Sequence, residues 1–237
     1  MLNKIIAISG LKGSGKNEAS EMLQFLLSAP KWLRHHWCYK LGFRFFKNWR
    51  IVSFATALKE MLSVLIKVPV YKFEDRDFKE NYCVDFESMQ VIPKSEVSKE
   101  YLLSDHKFSK INILANPIYN DYCLTIRQLM QSFGTQLMRT YFGDDIWIKS
   151  TLQNHFGENL IISDLRFKIE YESVKKKRGI IIYIDRPECV PGNHASEKEV
   201  IELLNDNKFD YVVDNSGDLS QLFNNLKDIV CNLEKQH

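Results

Sequence analysis

The sequence has little of what stabilises secreted proteins or anchors proteins in membranes. Its five cysteines are scattered and odd in number, with no CxxC pair, which argues against a disulfide framework and a structural zinc site. No stretch approaches the ~20 consecutive apolar residues of a membrane-spanning helix. The N-terminal apolar run, Ile5–Ile8, is too short for a targeting segment. These absences predict a cytoplasmic protein with reduced thiols.

The 237 residues, 45% of them hydrophobic, are enough for one well-buried core. We predict a single domain over residues 1–237 with insertions at about 31–50 and 70–120. Short apolar runs alternate with helical patterns, which is typical of an α/β fold whose parallel sheet carries helices on both faces. The predicted strands lie at 5–8, 51–54, 159–163, 180–184 and 211–213, and the predicted helices at 16–27, 56–67, from 125, at 168–178 with a stop at Gly179, and at 219–233.

The most specific motif follows the first predicted strand and opens the first predicted helix. Such a glycine-rich turn directs backbone N–H groups at one point, and the helix N-terminus adds partial positive charge. The GxxxxGK spacing is met in full, so the pattern predicts a phosphate-binding loop; a turn without a phosphate role is the alternative. The residues concerned are Gly10, Lys12, Gly13, Ser14, Gly15, Lys16 and Asn17.

One expected hydroxyl is missing from this loop. Its eighth position usually holds a Ser or Thr that binds Mg²⁺, and this chain has Asn17 instead. An amide oxygen is still an acceptable ligand for a hard cation.

Charged residues follow the later predicted strands. Ligands of such a sheet bind at the carboxyl ends of the strands, where the sequence places Asp164, Arg166 and Arg186. Asp164 can hold Mg²⁺ or accept a hydrogen bond from Lys16 or Asn17, and the two arginines can bind phosphate. A structural ion pair between Asp164 and Arg166 is the alternative.

The helix that begins near Thr125 carries a polar stripe beside an apolar one. Arg127, Gln131, Thr135 and Arg139 are spaced by four residues and share a face in an α-helix. Guanidinium, amide and hydroxyl groups suit a monophosphate and a base edge, whereas a solvated face is the alternative. Trp147 is either a core anchor or a platform for a base.

Basic charge and aromatic rings are concentrated near the N-terminus. Residues 1–50 carry nine Lys and Arg against two Asp and Glu, whereas residues 51–237 carry 23 against 28. Residues 31–50 contain six of these cations and seven aromatic residues, which suits single-stranded nucleic acid or a membrane surface. An insertion that packs on the domain, or forms a homodimer interface, is the alternative that we favour.

Several short stretches together resemble one enzyme family in their order along the chain. They are 10–17, 53–59, 125–131, 133–135, Trp147, 163–167, 186–187, 194–197 and 214–217. They are similar to the bacteriophage deoxynucleoside monophosphate kinases, a branch of the P-loop nucleoside monophosphate kinases. The resemblance implies a three-layer αβα sandwich with a parallel sheet, a monophosphate-binding insertion and a lid at about 187–200. It also implies transfer of the γ-phosphoryl group of ATP to a deoxynucleoside monophosphate.

The resemblance lets each candidate residue be given a role. Lys16 and the loop would bind the ATP phosphates, Asn215 would lie on the adenine side, and Asn17 and Asp164 would hold Mg²⁺, directly or through water. Arg186 would stabilise the transferring group. Family members usually carry Asp-Thr where this chain has Asn17-Glu18. The chain therefore departs from the family pattern at a position that is expected to bind Mg²⁺. The acceptor nucleotide would contact Phe54, Lys59, Arg127, Gln131, Arg139, Trp147 and Arg166.

Two other functions fit parts of the same sequence. Another P-loop kinase, acting on dephospho-coenzyme A or on a nucleic-acid 5′ end, would use the same loop. A nucleic-acid-binding ATPase would use the loop together with residues 31–50. Salt-dependent binding to single-stranded DNA would distinguish the second of these functions.

Overall fold

The computed structural model describes residues 4–42, 48–86, 88–96, 123–190 and 195–235. The chain divides into two compact units. The first, here called the parallel unit, comprises Met1–Phe54 and Ile148–His237. The second, the antiparallel unit, is the contiguous segment Ala55–Trp147.

The parallel unit is built on a five-stranded sheet in which all pairings are parallel. Its strands are β1 (Ile5–Ser9), β2 (Arg50–Val52), β6 (Leu160–Leu165), β7 (Ile180–Asp185) and β8 (Tyr211–Asp214). Their spatial order is β2-β6-β1-β7-β8. Because β1 lies between β6 and β7, the strand order reverses beside β1, and a ligand crevice is expected at such a point.

Helices pack on this sheet because its central strands are apolar on both faces. Ile6 and Ile8 of β1 belong to a core cluster that includes side chains of α1 (Lys16–Ser28) and α10 (Leu219–Lys235). The α8 helix (Lys168–Lys176) packs on β7 and contacts α9 (Ala195–Asn205). Two more helices belong wholly or mainly to this unit, α2 (His36–Lys40) and α7 (Ile146–Asn154). The predicted α/β architecture with a parallel sheet is confirmed.

The end of α8 differs from the prediction. The helix ends at Lys176, and Arg178 rather than Gly179 takes the left-handed conformation, with a φ of 58°. Gly179 is needed for packing instead, because a Cβ there would lie 2.5 Å from Val174 Cγ1 and 3.2 Å from the Ile5 carbonyl oxygen.

The antiparallel unit contains a small sheet that the sequence pattern did not reveal. Its strands are β3 (Tyr82–Asp85), β4 (Gln90–Pro93) and β5 (Cys123–Thr125), in the order β4-β3-β5. Two helices precede the sheet, α3 (Thr56–Ile66) and α4 (Arg76–Asn81). Much of the segment predicted as an insertion, residues 97–122, lies outside the described residues.

A helical segment follows β5 and changes its type along its length. It begins as α5 (Ile126–Gln131), continues as a π-helix over Ser132–Arg139 and ends as α6 (Thr140–Phe142). Its start is fixed by a capping box in which Thr125 and Gln128 bond to each other's backbone N–H groups. A π-helix has more than 3.6 residues in each turn. Consequently, the predicted stripe of residues spaced by four holds for Arg127 and Gln131 but is not maintained through Thr135 and Arg139.

Candidate active site

The glycine-rich loop lies between β1 and α1, beside the reversal of strand order. Ser9, the last residue of β1, is fully buried, and its hydroxyl donates a 3.0 Å hydrogen bond to the Leu165 carbonyl at the end of β6. This bond spans a shift in register between β1 and β6. The carboxyl ends of β6 and β7 therefore flank the loop, as the sequence predicts.

Two glycines of the loop are required by its geometry. Gly10 has a φ of 149°, and a Cβ there would lie 2.7 Å from the Ile184 carbonyl oxygen. Gly15 has a φ of 92°, and a Cβ there would lie 2.5 Å from the Asn215 side-chain nitrogen. A side chain at either position would be strained and would collide with its surroundings.

Lys16 is enclosed by the loop to which it belongs. Its ammonium group donates hydrogen bonds of 2.8 and 2.6 Å to the carbonyl oxygens of Gly10 and Leu11, and the residue is only 9% exposed. Burial and then the neighbouring Arg166 lower its pKa from 10.5 to about 8, while Asp164 opposes this shift. A phosphate placed near this cation would be attracted to it and would raise its pKa.

A second polar group in the loop has unused hydrogen-bonding capacity. The Ser14 hydroxyl is buried, and it has no hydrogen-bond partner among the described residues. Such a group is costly unless a ligand or water satisfies it. Lys12, Gly13 and Asn17 are exposed, so the loop presents both buried donors and accessible ones to an anion.

Asp164 is held by the turn that follows β2. One of its carboxylate oxygens accepts a 2.8 Å hydrogen bond from the backbone N–H of Phe54, and the other accepts a hydrogen bond from the Ser53 hydroxyl. These bonds orient the carboxylate at the end of β6. The carboxylate also lies close enough to Lys16 to raise the pKa of that lysine.

The two candidate arginines of the parallel unit are exposed. The backbone N–H of Arg166 donates a 2.8 Å hydrogen bond to Glu170, a buried residue of α8. Arg186 forms a 3.1 Å ion pair with Glu188, whose side chain is 76% exposed. An exposed pair of this kind is weak, so the Arg186 guanidinium can be released to a ligand at little cost.

Asn215 is placed against the loop by the turn between β8 and α10. Its side-chain amide donates a 2.8 Å hydrogen bond to the Ser14 carbonyl. Its backbone N–H donates a 2.7 Å bond to the Asp185 carbonyl at the end of β7. The residue thus connects the predicted adenine-side turn to the phosphate loop.

The candidate Phe54 is 3% exposed and belongs to the parallel unit, and the remaining candidate residues lie in the antiparallel unit. The Lys59 ammonium is 2.6 Å from Glu74, and the Arg127 guanidinium is 2.7 Å from Glu80. Gln131 and Arg139 are partly buried. Trp147 is 5% exposed, and its indole N–H donates a 2.9 Å bond to the Gly134 carbonyl, which is the arrangement of a core anchor.

Comparison with known proteins agrees with this arrangement. The family model described as deoxynucleotide monophosphate kinase matches residues 69–226, about two thirds of the chain. The chain belongs to the deoxynucleotide monophosphate kinase family. It is accordingly a phosphotransferase, and membership implies ATP as the donor. The match leaves out the phosphate loop, so the loop and the matched region are separate indications of a kinase.

Individual relatives extend the similarity of this kinase across almost the whole chain. The deoxynucleotide monophosphate kinase of Enterobacteria phage T4 is 23% identical over 256 aligned positions, which cover 94% of this chain and 97% of the phage protein. That of Escherichia phage RB69 is 21% identical and covers 96% and 99%. An Acanthamoeba polyphaga mimivirus protein provisionally given the same name is 25% identical over 61% of this chain and 82% of its own.

Several residues around the kinase site were not predicted from the sequence. Ser53 and Glu170 orient the ends of β2 and β6 through the hydrogen bonds described above. Cys189 lies near the loop, since a Cβ on Gly13 would be 3.7 Å from its sulfur atom. Glu197 of α9 is close enough to raise the pKa of Lys16. Ser53 and Glu197 fall within the stretches 53–59 and 194–197 that carry the resemblance, and Glu170 is an acidic residue in the first turn of a helix.

The predicted lid of this kinase includes residues that the structure does not describe and residues that form a helix. Residues 191–194, which include Gly192 and His194, lie outside the described part of the chain. From Ala195 onward the chain forms α9, in which Val200 and Leu203 are buried. The lid at about 187–200 remains a prediction.

The basic aromatic segment contacts the kinase core through part of its length. Tyr39 and Trp49 are buried, whereas Trp32 and Trp37 are 75% and 61% exposed. Arg34 is also buried, and it bonds to Glu234 of α10 at 2.7 Å. Residues 43–47 lie outside the described part. The packing alternative therefore holds for some of these aromatic residues, and at least one of the cations is structural.

The oxygen donors of this kinase suit magnesium. Asn17 provides an exposed amide oxygen and Asp164 a carboxylate that is already oriented. Mg²⁺ in phosphotransferases is usually bound by one or two carboxylates together with substrate phosphates and water. Within the described ranges, no group of three or more His, Cys, Asp or Glu residues could hold a metal ion. No described helix is long and apolar enough to cross a bilayer.

Proposed function

We propose that this kinase transfers the γ-phosphoryl group of ATP to the phosphate of a deoxynucleoside monophosphate, giving ADP and the deoxynucleoside diphosphate. The observation that carries the proposal is the loop that encloses Lys16 at the reversal of strand order. Family membership supports the same reaction. Phosphoryl transfer requires alignment and charge neutralisation more than covalent chemistry, and these residues can supply both.

The loop is assigned to the donor nucleotide. Lys16 would exchange its two carbonyl partners for phosphate oxygens, and the Ser14 hydroxyl would gain the partner that it lacks. The backbone N–H groups from Gly13 to Lys16 would contribute further donors. Asn215 would keep the loop in this conformation while its turn borders the adenine.

Mg²⁺ would be held by Asp164 and Asn17, directly or through water. When bound, it neutralises charge on the β- and γ-phosphates. Ser53 and the backbone N–H of Phe54 keep the Asp164 carboxylate oriented in its absence. The amide at residue 17 brings no negative charge, so Asp164 is the anionic group of this pair.

Acceptor binding is assigned to the cationic and polar residues that the resemblance implies for it. Arg127, Arg139 and Arg166 would bind the acceptor phosphate, since planar guanidinium groups suit phosphate oxygens. Gln131 would bind a base edge, while Phe54 and Lys59 would border the site. Trp147 would support the acceptor site indirectly, because its indole N–H donates a hydrogen bond to the Gly134 carbonyl in the core of the antiparallel unit.

Charge on the transferring group would be stabilised by Arg186. Its weak pair with Glu188 leaves the guanidinium available. The segment 187–200 would close over the nucleotides and exclude water, so that ATP is not simply hydrolysed. No general base is required, because the attacking phosphate oxygen is already ionised.

A coupled assay of ADP release tests the proposal directly. The protein is supplied with ATP, Mg²⁺ and each deoxynucleoside monophosphate in turn, and we expect ADP production that depends on at least one of them. Omission of Mg²⁺ should abolish turnover. ADP release that no monophosphate stimulates would contradict the proposal.

The rival functions are separate arms of the same assay. ADP release that requires dephospho-coenzyme A or a 5′-hydroxyl oligonucleotide would indicate another P-loop kinase. ADP release stimulated only by single-stranded DNA would indicate the ATPase.

We also propose that the protein forms a homodimer. Trp32 and Trp37 are exposed and could lie at its interface. Light scattering tests this proposal. Because its substrates would be free nucleotides, we expect this kinase to act in the cytoplasm.

A further inference from the structure

The first turn of α1 contains an acidic residue in a position that is unfavourable for an anion-binding helix. Glu18 follows Lys16 by two residues and is partly buried. A helix N-terminus favours phosphates and carboxylates for the same electrostatic reason. A freely moving Glu18 carboxylate would therefore compete with ATP for the loop and repel its phosphates.

The structure holds this carboxylate through Tyr39, a residue of the basic aromatic segment. The Tyr39 hydroxyl donates a 2.7 Å hydrogen bond to Glu18 Oε1. Hydrogen bonds to ionised groups are stronger than those between neutral groups. Glu18 also shares a helix face with Met22 and Phe25, at spacings of four and seven residues, and both of these side chains are buried in the core.

Tyr39 itself has little freedom to move. It is 3% exposed, and its ring lies 5.7 Å from that of Phe25 and 5.9 Å from that of Phe223, measured between centroids. The hydroxyl is therefore fixed by packing on α1 and α10. Its bond draws the Glu18 carboxylate to the side of α1 that faces the core cluster.

We propose that Tyr39 is a positioning residue that holds the Glu18 carboxylate away from the ATP phosphates. This inference rests on the proposed nucleotide site at the loop. It gives the segment around Tyr39 a part in donor binding without contact between that segment and the nucleotide. Loss of the hydroxyl would release a negative charge near the N-terminus of α1 while the ring continues to fill its place.

A double-mutant cycle of Tyr39→Phe and Glu18→Gln tests the inference. Steady-state kinetics give KM for ATP and kcat, and calorimetry gives the Kd for ATP. We expect Y39F to raise both KM and Kd by roughly fivefold, the size expected when one like charge is released near the site. We expect kcat to stay within about twofold, because the reacting groups are untouched.

The second substitution separates electrostatics from packing. In the E18Q background, Y39F should have almost no effect, because the charge that Tyr39 restrains is gone. The Y39F defect, expressed relative to wild type, should also shrink at high salt, since salt screens the repulsion. A matched control is Tyr171→Phe, which removes a 3.0 Å hydroxyl bond to the Lys208 carbonyl at another place in the parallel unit.

Three results would overturn the inference. One is an unchanged Kd in Y39F, and another is an equal loss in both backgrounds. The third is a large fall in kcat in E18Q alone, which would make Glu18 a working group of the site. Because ATP binding is measured directly, the cycle can be read even if no monophosphate is phosphorylated. If wild type binds no ATP, both the inference and the proposed function are wrong.

Discussion

At the scale of single residues, the loop lysine is stabilised by the loop itself. The bonds from Lys16 to the Gly10 and Leu11 carbonyls partly compensate for its burial, but its pKa is still lowered to about 8. Binding of ATP replaces neutral acceptors with anionic ones. The Lys16 ammonium group is therefore stabilised more strongly in the complex with ATP than in the free protein.

Replacement of Lys16 by Met should remove activity and leave the fold intact. We expect kcat/KM to fall by roughly 10²–10³-fold, the usual loss when a preorganised electrostatic contact is deleted. The free energy of unfolding at neutral pH should not decrease, because a charge that is poorly solvated in the native state is removed. Kinetics and urea denaturation measure the two quantities. Lys177→Met, at an exposed position after α8, is the control, and normal turnover in K16M would contradict the loop assignment.

The lowered pKa of Lys16 also predicts how ATP binding depends on pH. Phosphate raises this pKa in the complex, so binding takes up a proton near pH 8 and weakens as the pH rises above that value. Calorimetry in two buffers of different ionisation enthalpy would detect the proton uptake. The dependence should be absent in K16M; an identical slope in that variant would assign it to another group.

The same shift affects stability with a definite sign. The unfolded chain keeps the ordinary lysine pKa of 10.5, so between pH 8 and 10.5 it binds more protons than the native state does at Lys16. The contribution of this group to the free energy of unfolding consequently rises with pH across that window.

The sequence was informative about residues whose role is set by their neighbours in the chain. The glycines and the lysine of the loop follow from spacing alone, because a phosphate loop is a local structure. The hydrogen bonds from Ser53 and Phe54 to Asp164 could not be predicted, since they join residues about 110 positions apart. The alternative for Asp164 was an ion pair with Arg166, whereas the partners shown here belong to the turn after β2.

At the scale of elements, the turn between β8 and α10 supports the phosphate loop. Asn215 fills the space that a side chain at residue 15 would need, and it binds the carbonyl of Ser14. Neither contact requires the nucleotide. The loop is therefore preorganised by an element that is about 200 residues away in the chain.

Asn215→Ala should weaken ATP binding more than it destabilises the protein. We expect KM for ATP to rise by about tenfold, with a stability loss of only about 1 kcal/mol for one hydrogen bond. The measurements are ATP-dependent kinetics and thermal unfolding. The control is Asn159→Ala, which loses a bond from the Lys4 backbone at the opposite end of the sheet. A KM that is the same in both variants would contradict the bracing role.

Elements were predictable where their apolar pattern was regular. The central strands and α10 were found within one or two residues of their bounds, because continuous apolar runs and a long amphipathic stripe have few alternatives. The π-helix over Ser132–Arg139 was not predicted, since its sequence keeps an α-helical pattern. The small sheet was missed because Tyr82–Asp85 and its partners are short and mixed in character.

At the scale of the whole molecule, the last helix binds the basic aromatic segment within the parallel unit. Glu234 accepts a 2.7 Å bond from the buried Arg34 and lies 3.2 Å from Lys31. Burial tends to raise the pKa of Glu234, but hydrogen bonds from Arg34 and then Lys31 outweigh it and the pKa is lowered. Part of the charge asymmetry seen in the sequence is thus neutralised within the fold.

Glu234→Gln should destabilise the protein by roughly 1–2 kcal/mol at neutral pH, because Arg34 stays buried without its counter-ion. A lowered carboxyl pKa stabilises the fold above its unfolded value, and that stabilisation is lost as the pH falls through the folded value. The difference between wild type and E234Q should therefore vanish in acid. Urea denaturation of both proteins at neutral and at acidic pH measures this difference in the free energy of unfolding.

The control for this variant is Glu158→Gln. Glu158 lies 3.3 Å from Arg50 and 3.7 Å from His155, and the side chains of Glu158 and Arg50 are 39% and 59% exposed. Pairs of this kind contribute little to stability. A loss in E158Q as large as that in E234Q would contradict a special role for the Arg34 site.

The position of β1 has a consequence for how the polypeptide acquires its structure during synthesis. Ile5 pairs with Leu160, and the other neighbour of β1 begins at residue 180. The central strand leaves the ribosome early but must wait for about 150 more residues before it can form its first β-bridge. The antiparallel unit is contiguous and can condense in the meantime. Pairings so distant in sequence slow folding, so the nascent β1 exposes apolar residues that chaperones can bind until its partners are synthesised.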